Sequence, residues 1–288
     1  MAMNQPDEIP QLMASLQSNN TAIVAEAVRA LLNNVNGTYE QRKEAMRADV
    51  IESFVKLLKS GDAIIVLEAI GALDNIVNGT YEQRERAMRA DVIENFVKLL
   101  KSGNANIVVE AVKALVNIVN GTYEQRERAI RADVIEGFVQ LLKSGNAIIV
   151  LEAIGALDNI VNGTYEQRER AIRAGVIEGF VQLLKSAEAV IVVAAVEVLV
   201  NITNRTYEQR ERAIRADVIE SIIQLLKSGD AIIIVVAVKA LINIALGSTE
   251  LREKLIKSDA RPLLIALKES PNLDVRKEAI KAVSVLDN

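Results

Sequence analysis

The chain contains no cysteine, no histidine and no tryptophan. The missing cysteines exclude disulfides and thiolate metal sites, and with histidine also absent no Cys/His ligand set exists. Aromatic residues are 3% of the chain while 50% of it is hydrophobic, so the predicted core is aliphatic. The longest uninterrupted apolar run, Ala231 to Val238, is far short of a membrane span. The first residues, Met1 to Glu8, carry no basic region followed by an apolar run, so no signal peptide is expected. A net charge of -4 and a pI near 5.3 argue against nucleic acid as the main partner. These shortages predict a soluble, cytoplasmic protein with no membrane partner and no cofactor.

What the chain does have is repetition. The stretch Asn36-Gly37-Thr38-Tyr39-Glu40-Gln41-Arg42 returns at Asn78, Asn120 and Asn162, and at Asn204 with Arg205 in place of glycine. A weaker echo begins at Gly247. The spacing is 42 residues each time. A period in this range marks a solenoid, in which each unit buries its apolar face only by stacking on the next. Near-identical copies (Glu82 to Ala87 recurs unchanged as Glu124 to Ala129), with three residue types missing, point to an engineered or consensus-derived sequence. The triplets at Asn36, Asn78, Asn120, Asn162, Asn201 and Asn204 fit the glycosylation pattern, but read as turn chemistry here.

One unit, from Asn78 to Val119, reads as three helices. Thr80 with Gln83 forms a capping box before a short helix through Arg89. Glu82 faces Arg86 and Glu85 faces Arg89 at i,i+4, which predicts two surface ion pairs. Asp91 with Glu94 is a second capping signal, ahead of an apolar stripe through Val92, Ile93, Phe96 and Leu100. Gly103 is expected to stop that helix by adopting a left-handed conformation. Asn104 caps a third helix, apolar nearly all round, which Gly121 ends and which belongs in the middle of a stack. The run Ile232 to Val236 favours a strand by propensity. Its strict register with Glu152-Ala153-Ile154-Gly155-Ala156-Leu157 predicts a helix instead.

Ala132 to Asn146, followed by Glu152-Ala153-Ile154-Gly155-Ala156-Leu157-Asp158-Asn159-Ile160, resembles the armadillo repeat, and Ala174-Gly175 matches its glycine. Glu8-Ile9-Pro10-Gln11-Leu12-Met13 resembles the start of an importin-type cap. The resemblance covers nearly the whole chain and is closer to designed consensus proteins than to any one natural member. It implies an all-α, right-handed α-solenoid of three-helix repeats. Residues 1–35 would be a two-helix N-terminal cap, 36–245 five repeats of 42 residues and 246–288 a C-terminal capping repeat.

The resemblance also implies a concave groove lined by the third helices, where a recurrent asparagine holds the backbone of an extended peptide. The matching residues are Asn33, Asn75, Asn117, Asn159, Asn201 and Asn243, with Val285 in the last copy. A carboxamide offers donor and acceptor together, so one asparagine can bond both N–H and C=O of a ligand residue. Helices stacked about 8–10 Å apart roughly match two residues of extended chain, about 6.6–7 Å. The same repetition is equally consistent with asparagines that bond their own helix or its neighbour.

Four residues earlier the family has tryptophan; here stand Arg29, Gly71, Lys113, Gly155, Glu197 and Lys239. One residue before each asparagine stand Leu32, Asp74, Val116, Asp158, Val200 and Ile242. Seven residues before it, Glu26, Glu68, Glu110 and Glu152 match the position that meets basic ligand groups, followed by Ala194 and Val236. Over these three positions acids outnumber bases, which predicts a preference for basic and apolar side chains. Ile64, Leu67, Ile148, Leu151, Val190 and Val193 are expected to add an exposed aliphatic stripe.

No enzyme reading survives. No phosphate loop or EF-hand series is present, and the recurrent arginines alternate with glutamates as on a solvated helix face. The expected function is a peptide-binding scaffold, and the alternative is a scaffold without ligand that self-associates, as a homodimer, through its apolar inner face.

Overall fold

A computed structural model describes residues 8–203, 212 and 217–287. Among them lie 19 α-helices and no strand. The chain divides into two compact units, Met1–Gly137 and Phe138–Asn288.

In the first unit α1 (Glu8–Ser15) and α2 (Thr21–Val35) precede two three-helix copies. These are α3 (Tyr39–Arg47), α4 (Val50–Leu57) and α5 (Ala63–Val77), then α6 (Tyr81–Arg89), α7 (Val92–Leu99) and α8 (Ala105–Val119). Helix α9 (Tyr123–Arg131) opens the next copy, and α10 (Val134–Leu141) runs through the division. The third helices stack in order, α2 on α5 and α5 on α8.

The second unit continues with α11 (Ala147–Val161), α12 (Tyr165–Arg173), α13 (Val176–Leu183) and α14 (Ala189–Thr203). Then come α15 (Val218–Leu225), α16 (Ala231–Gly247), α17 (Thr249–Lys257), α18 (Ala260–Leu267) and α19 (Leu273–Asp287). Here α11 packs on α14, α14 on α16 and α16 on α19. The β-branched run Ile232 to Val236 is helical inside α16, because packing on both neighbours outweighs its propensity. The copy with Arg205 falls on 204–211, outside the described residues.

Each second helix drives one large side chain into the interior. Phe54, Phe96, Phe138 and Phe180 are fully buried, and Ile222 takes the place in α15. Burying such a side chain contributes about 1.5–3 kcal/mol.

The capping box does more than its motif requires. Gln83 Oε1 accepts from the Thr80 amide at 2.6 Å, while its Nε2 donates to the Val35 carbonyl at 2.7 Å. Gln125 repeats this with Thr122 at 2.9 Å and Val77 at 2.7 Å. One side chain thus starts its own helix and satisfies an orphan carbonyl at the end of a third helix 48 residues earlier, two units back along the chain. A Cβ on Gly79 would meet Gln83 Oε1 at 2.2 Å, so a side chain there would push the Gln83 amide off its bonds.

Three local expectations change. Arg86 does not pair with Glu82; it reaches Glu52 at 2.6 Å, and Asp49, on the copy before. Arg128 likewise reaches Asp91 at 2.8 Å and Glu94 at 3.0 Å. The partners offered across the stack are held at the start of the second helix, which favours them over an exposed glutamate on the same helix. Asp91 makes no capping bond: it is left-handed, φ 55, as are Asp49, Asp133 and Asp217, and Gly175 occupies the same slot at φ 88. Gly103 is not left-handed; among the described glycines Gly175 alone has positive φ.

Candidate functional site

The third helices carry the candidate residues. Asn104 caps α8 through bonds from Asn106 N at 3.0 Å and Ile107 N at 3.4 Å. Asp62 caps α5 by accepting from Ile64 N at 2.9 Å. The Thr21 hydroxyl also donates to Asp62, and these two bonds hold its carboxyl below the usual aspartate value, Thr21 contributing most. A fixed start sets which residues of each helix face outward.

Asn33, Asn75, Asn117, Asn159 and Asn243 are exposed, and Asn201 is half-buried. On the outward sides of their own helices Ile64 in the first unit, and Ile148, Val190 and Ile232 in the second, are each more than half exposed, at 57%, 58%, 54% and 63%. Leu67, Leu151 and Val193 are half-buried beside them. The face is apolar near the helix starts and polar near the ends.

The six asparagines are not equivalent. Asn75 Nδ2 donates to the Gly71 carbonyl of its own helix at 2.8 Å. Asn117 Nδ2 donates to both carboxylate oxygens of Asp74 on the neighbouring helix, at 3.1 and 3.2 Å. Asn201 Nδ2 donates to Asp158 at 3.3 Å. Asn33, Asn159 and Asn243 show no side-chain bond among the described residues. The tie from Asp74 and Asp158 escapes a reading of the sequence, although aspartate at those two positions, with valine at Val116 and Val200, is a visible alternation.

The charged positions also divide. Arg29 Nε donates to Glu68 at 3.1 Å, and this bond, with the carboxylate's charge, raises the guanidinium's pKa. Glu26 lies close enough to Arg29 to add to that effect. Lys113 pairs with Glu110 at 2.9 Å on its own helix. Glu152 and Asp158 are half-buried, and Glu197 and Lys239 are exposed. Gly71 and Gly155 open onto empty space, where an added Cβ would touch nothing within 4 Å.

Two open clefts lie between successive third helices of the second unit. One, of about 430 Å3, is lined by Glu197, Val200, Asn201, Lys239 and Asn243 between α14 and α16. The other, of about 680 Å3, lies between α16 and α19 and is lined by Lys239, Ile242, Asn243, Glu278, Lys281 and Val285. Each combines amide, charged and aliphatic groups and suits recognition of a chain. Among the described residues no group of three or more acidic side chains is placed to hold a metal ion, and no helix is long and apolar enough to cross a membrane.

A second exposed row was not anticipated. Tyr39, Tyr81, Tyr123 and Tyr165 each begin a first helix and lie at least half exposed. Their signal was an aromatic residue at a helix start, where no interior awaits it.

The family model described as the plant U-box protein ARM repeat region matches residues 9–162, and the one described as armadillo/beta-catenin-like repeat matches 164–204. A comparison with curated proteins gives no match. Among solved structures, a designed armadillo repeat protein is 32% identical with a TM-score of 0.63, covering 82% of this chain and 99% of its own. An engineered protein from a structural genomics consortium is 32% identical with a TM-score of 0.69, covering 97% of this chain and 68% of its own. A further designed armadillo repeat protein, solved in complex with the peptide (KR)4, is 31% identical with a TM-score of 0.66, covering 82% of this chain and 99% of its own. The all-helical repeats, their stacked third helices and these matches agree: the chain belongs to the armadillo repeat family, and it is similar to designed members of that family.

Proposed function

We propose that the chain is a peptide-binding scaffold whose third-helix face accepts an extended peptide or protein tail. Residues 36–245 would form the binding repeats, and 1–35 and 246–288 the caps. The observation that carries this reading is the outward asparagine recurring on each third helix beside exposed aliphatic side chains. The similar designed protein solved with (KR)4 supports it. Asn33, Asn159 and Asn243 offer both amide groups to a ligand backbone, while Asn117 and Asn201 offer mainly the oxygen. Glu68 and Glu110 are already neutralised by Arg29 and Lys113. A preference for basic side chains therefore rests on Glu26, Asp74, Glu152, Asp158 and Glu197.

Binding of (KR)4 and of an Asp/Glu peptide of equal length, followed by fluorescence anisotropy at low salt, tests the charge preference; equal affinities refute it. Asn159→Ala with Asn243→Ala tests the backbone role. Neutral hydrogen bonds contribute about 0.5–1.5 kcal/mol each, so losing two rungs should weaken binding roughly tenfold or more. Unchanged affinity refutes that role.

A second reading is a self-associating scaffold without ligand. It is favoured by Asn75, Asn117 and Asn201, whose amide nitrogens already donate inside the protein. A tight dimer in light scattering, with no response to either peptide, selects it.

A further inference from the structure

The octapeptide Val-Asn-Gly-Thr-Tyr-Glu-Gln-Arg occurs four times unchanged, with its asparagine at Asn36, Asn78, Asn120 and Asn162. Asn-Gly is the dipeptide most prone to lose its side-chain amide, because glycine leaves its nitrogen unhindered. Identical neighbours give the four sites the same intrinsic chemistry. Their backbones match as well. Each asparagine is exposed at a third-helix end, with φ of -95, -97, -88 and -82. Each following glycine N–H donates to a carbonyl of the last turn, at 3.0–3.2 Å. Only the asparagine side chains differ in their surroundings.

Asn78 Nδ2 donates to the Asp74 carbonyl at 2.8 Å and to its carboxylate at 3.1 Å. Asn162 Nδ2 donates to the Asp158 carboxylate at 2.9 Å. Asn36 Oδ1 accepts from Gln83 Nε2 at 3.3 Å. Asn120 has Val116 four residues before it, whose side chain carries no acceptor, and no side-chain bond ties Asn120 among the described residues.

We propose that Asn120–Gly121 is the site of spontaneous deamidation in this chain, and that Asp74 and Asp158 protect the same dipeptide at Asn78 and Asn162. The Gly121 nitrogen, giving its proton to hydroxide, attacks Asn120 Cγ. The new N–Cγ bond replaces Cγ–Nδ2, and ammonia leaves. Water then opens the succinimide at either carbonyl, giving aspartate or isoaspartate with no change of oxidation state. The turn must open for the nitrogen to reach Cγ, and a charge-assisted bond on the amide opposes that motion. Such a bond slows the reaction about tenfold at Asn78 and Asn162 relative to Asn120, with Asn36 between. The product places negative charge at the end of α8, against the helix dipole.

The test follows the full chain at mildly alkaline pH and body temperature, with the four peptides separated after proteolysis and the amide-to-acid conversion read by mass spectrometry. Asn120 should convert about tenfold faster than Asn78 and Asn162 in the native protein, and all four at one rate in concentrated urea. Asp74→Val should bring Asn78 to the Asn120 rate, and Val116→Asp should slow Asn120. Native Asn78 or Asn162 keeping pace with Asn120 overturns the proposal, as does an unchanged Asn78 rate in a folded Asp74→Val protein. Should that variant not fold, Val116→Asp and the native-to-urea ratio decide.

Discussion

Replacing Gln125 by alanine removes two hydrogen bonds from a side chain that is 4% exposed. One held the Thr122 amide at 2.9 Å, the other the Val77 carbonyl at 2.7 Å. Val77 is fully buried, and water does not replace the lost donor there. An orphaned buried carbonyl costs about 1–3 kcal/mol, and loss of the bond to the exposed Thr122 amide adds about 0.5–1 kcal/mol, so the two together should cost roughly 1.5–4 kcal/mol. Gln41 is the matching control. It accepts from the Thr38 amide at 2.8 Å in the same capping box, but its Nε2 makes no bond to an earlier helix among the described residues. Gln41→Ala should therefore cost no more than about 1 kcal/mol. Urea titrations followed by far-ultraviolet circular dichroism measure both variants against the parent. Equal losses for Gln41→Ala and Gln125→Ala would refute the claim that this side chain ties its copy to an earlier third helix.

Arg128→Ala removes the pair to Asp91 and Glu94 and should cost about 1 kcal/mol, with the difference shrinking at high salt, as read by thermal melts in low and high sodium chloride. Gly175→Ala forces a side chain into φ 88 and should cost about 1–2 kcal/mol. Gly145→Ala, which meets nothing within 4 Å and is not left-handed, should be neutral or stabilising; melts of the pair separate strain from crowding. Asp62 is held below the ordinary aspartate pKa of about 3.9. Its ionised form therefore favours the fold above that pH, and the contribution disappears as pH falls through the lowered folded value. Thr21→Val should move the Asp62 titration back up toward the ordinary value, observable by carboxyl NMR.

The three-helix unit was legible because its caps and its period agree. Asn104 starts α8, Thr80 and Gln83 start α6, and register carried Ile232 to Val236 into a helix against propensity. What was not legible involves partners set by stacking. Arg86 has Glu82 at helical spacing, yet pairs with Asp49 and Glu52, 37 and 34 residues away. Asp74 meets Asn117 across 43 residues, a contact that needs the packing of α5 on α8 to be known. Asp91 followed by Glu94 imitates a cap. Gly175 in the same slot was the clue that the backbone there turns left-handed. At the site, the register of the asparagines was readable, whereas their division into tied and untied members was not.

The double use of Gln83 and Gln125 bears on how such a chain changes length. Gln83 and Gln125 each fasten their copy to the third helix two units back, and the sequence around the four junctions at Asn36, Asn78, Asn120 and Asn162 is the same. A cassette cut at one of these Val–Asn boundaries and pasted at another would arrive with its own clasp and present an identical socket to the copy after next. Growth or shortening by whole copies then needs no new seam to be invented.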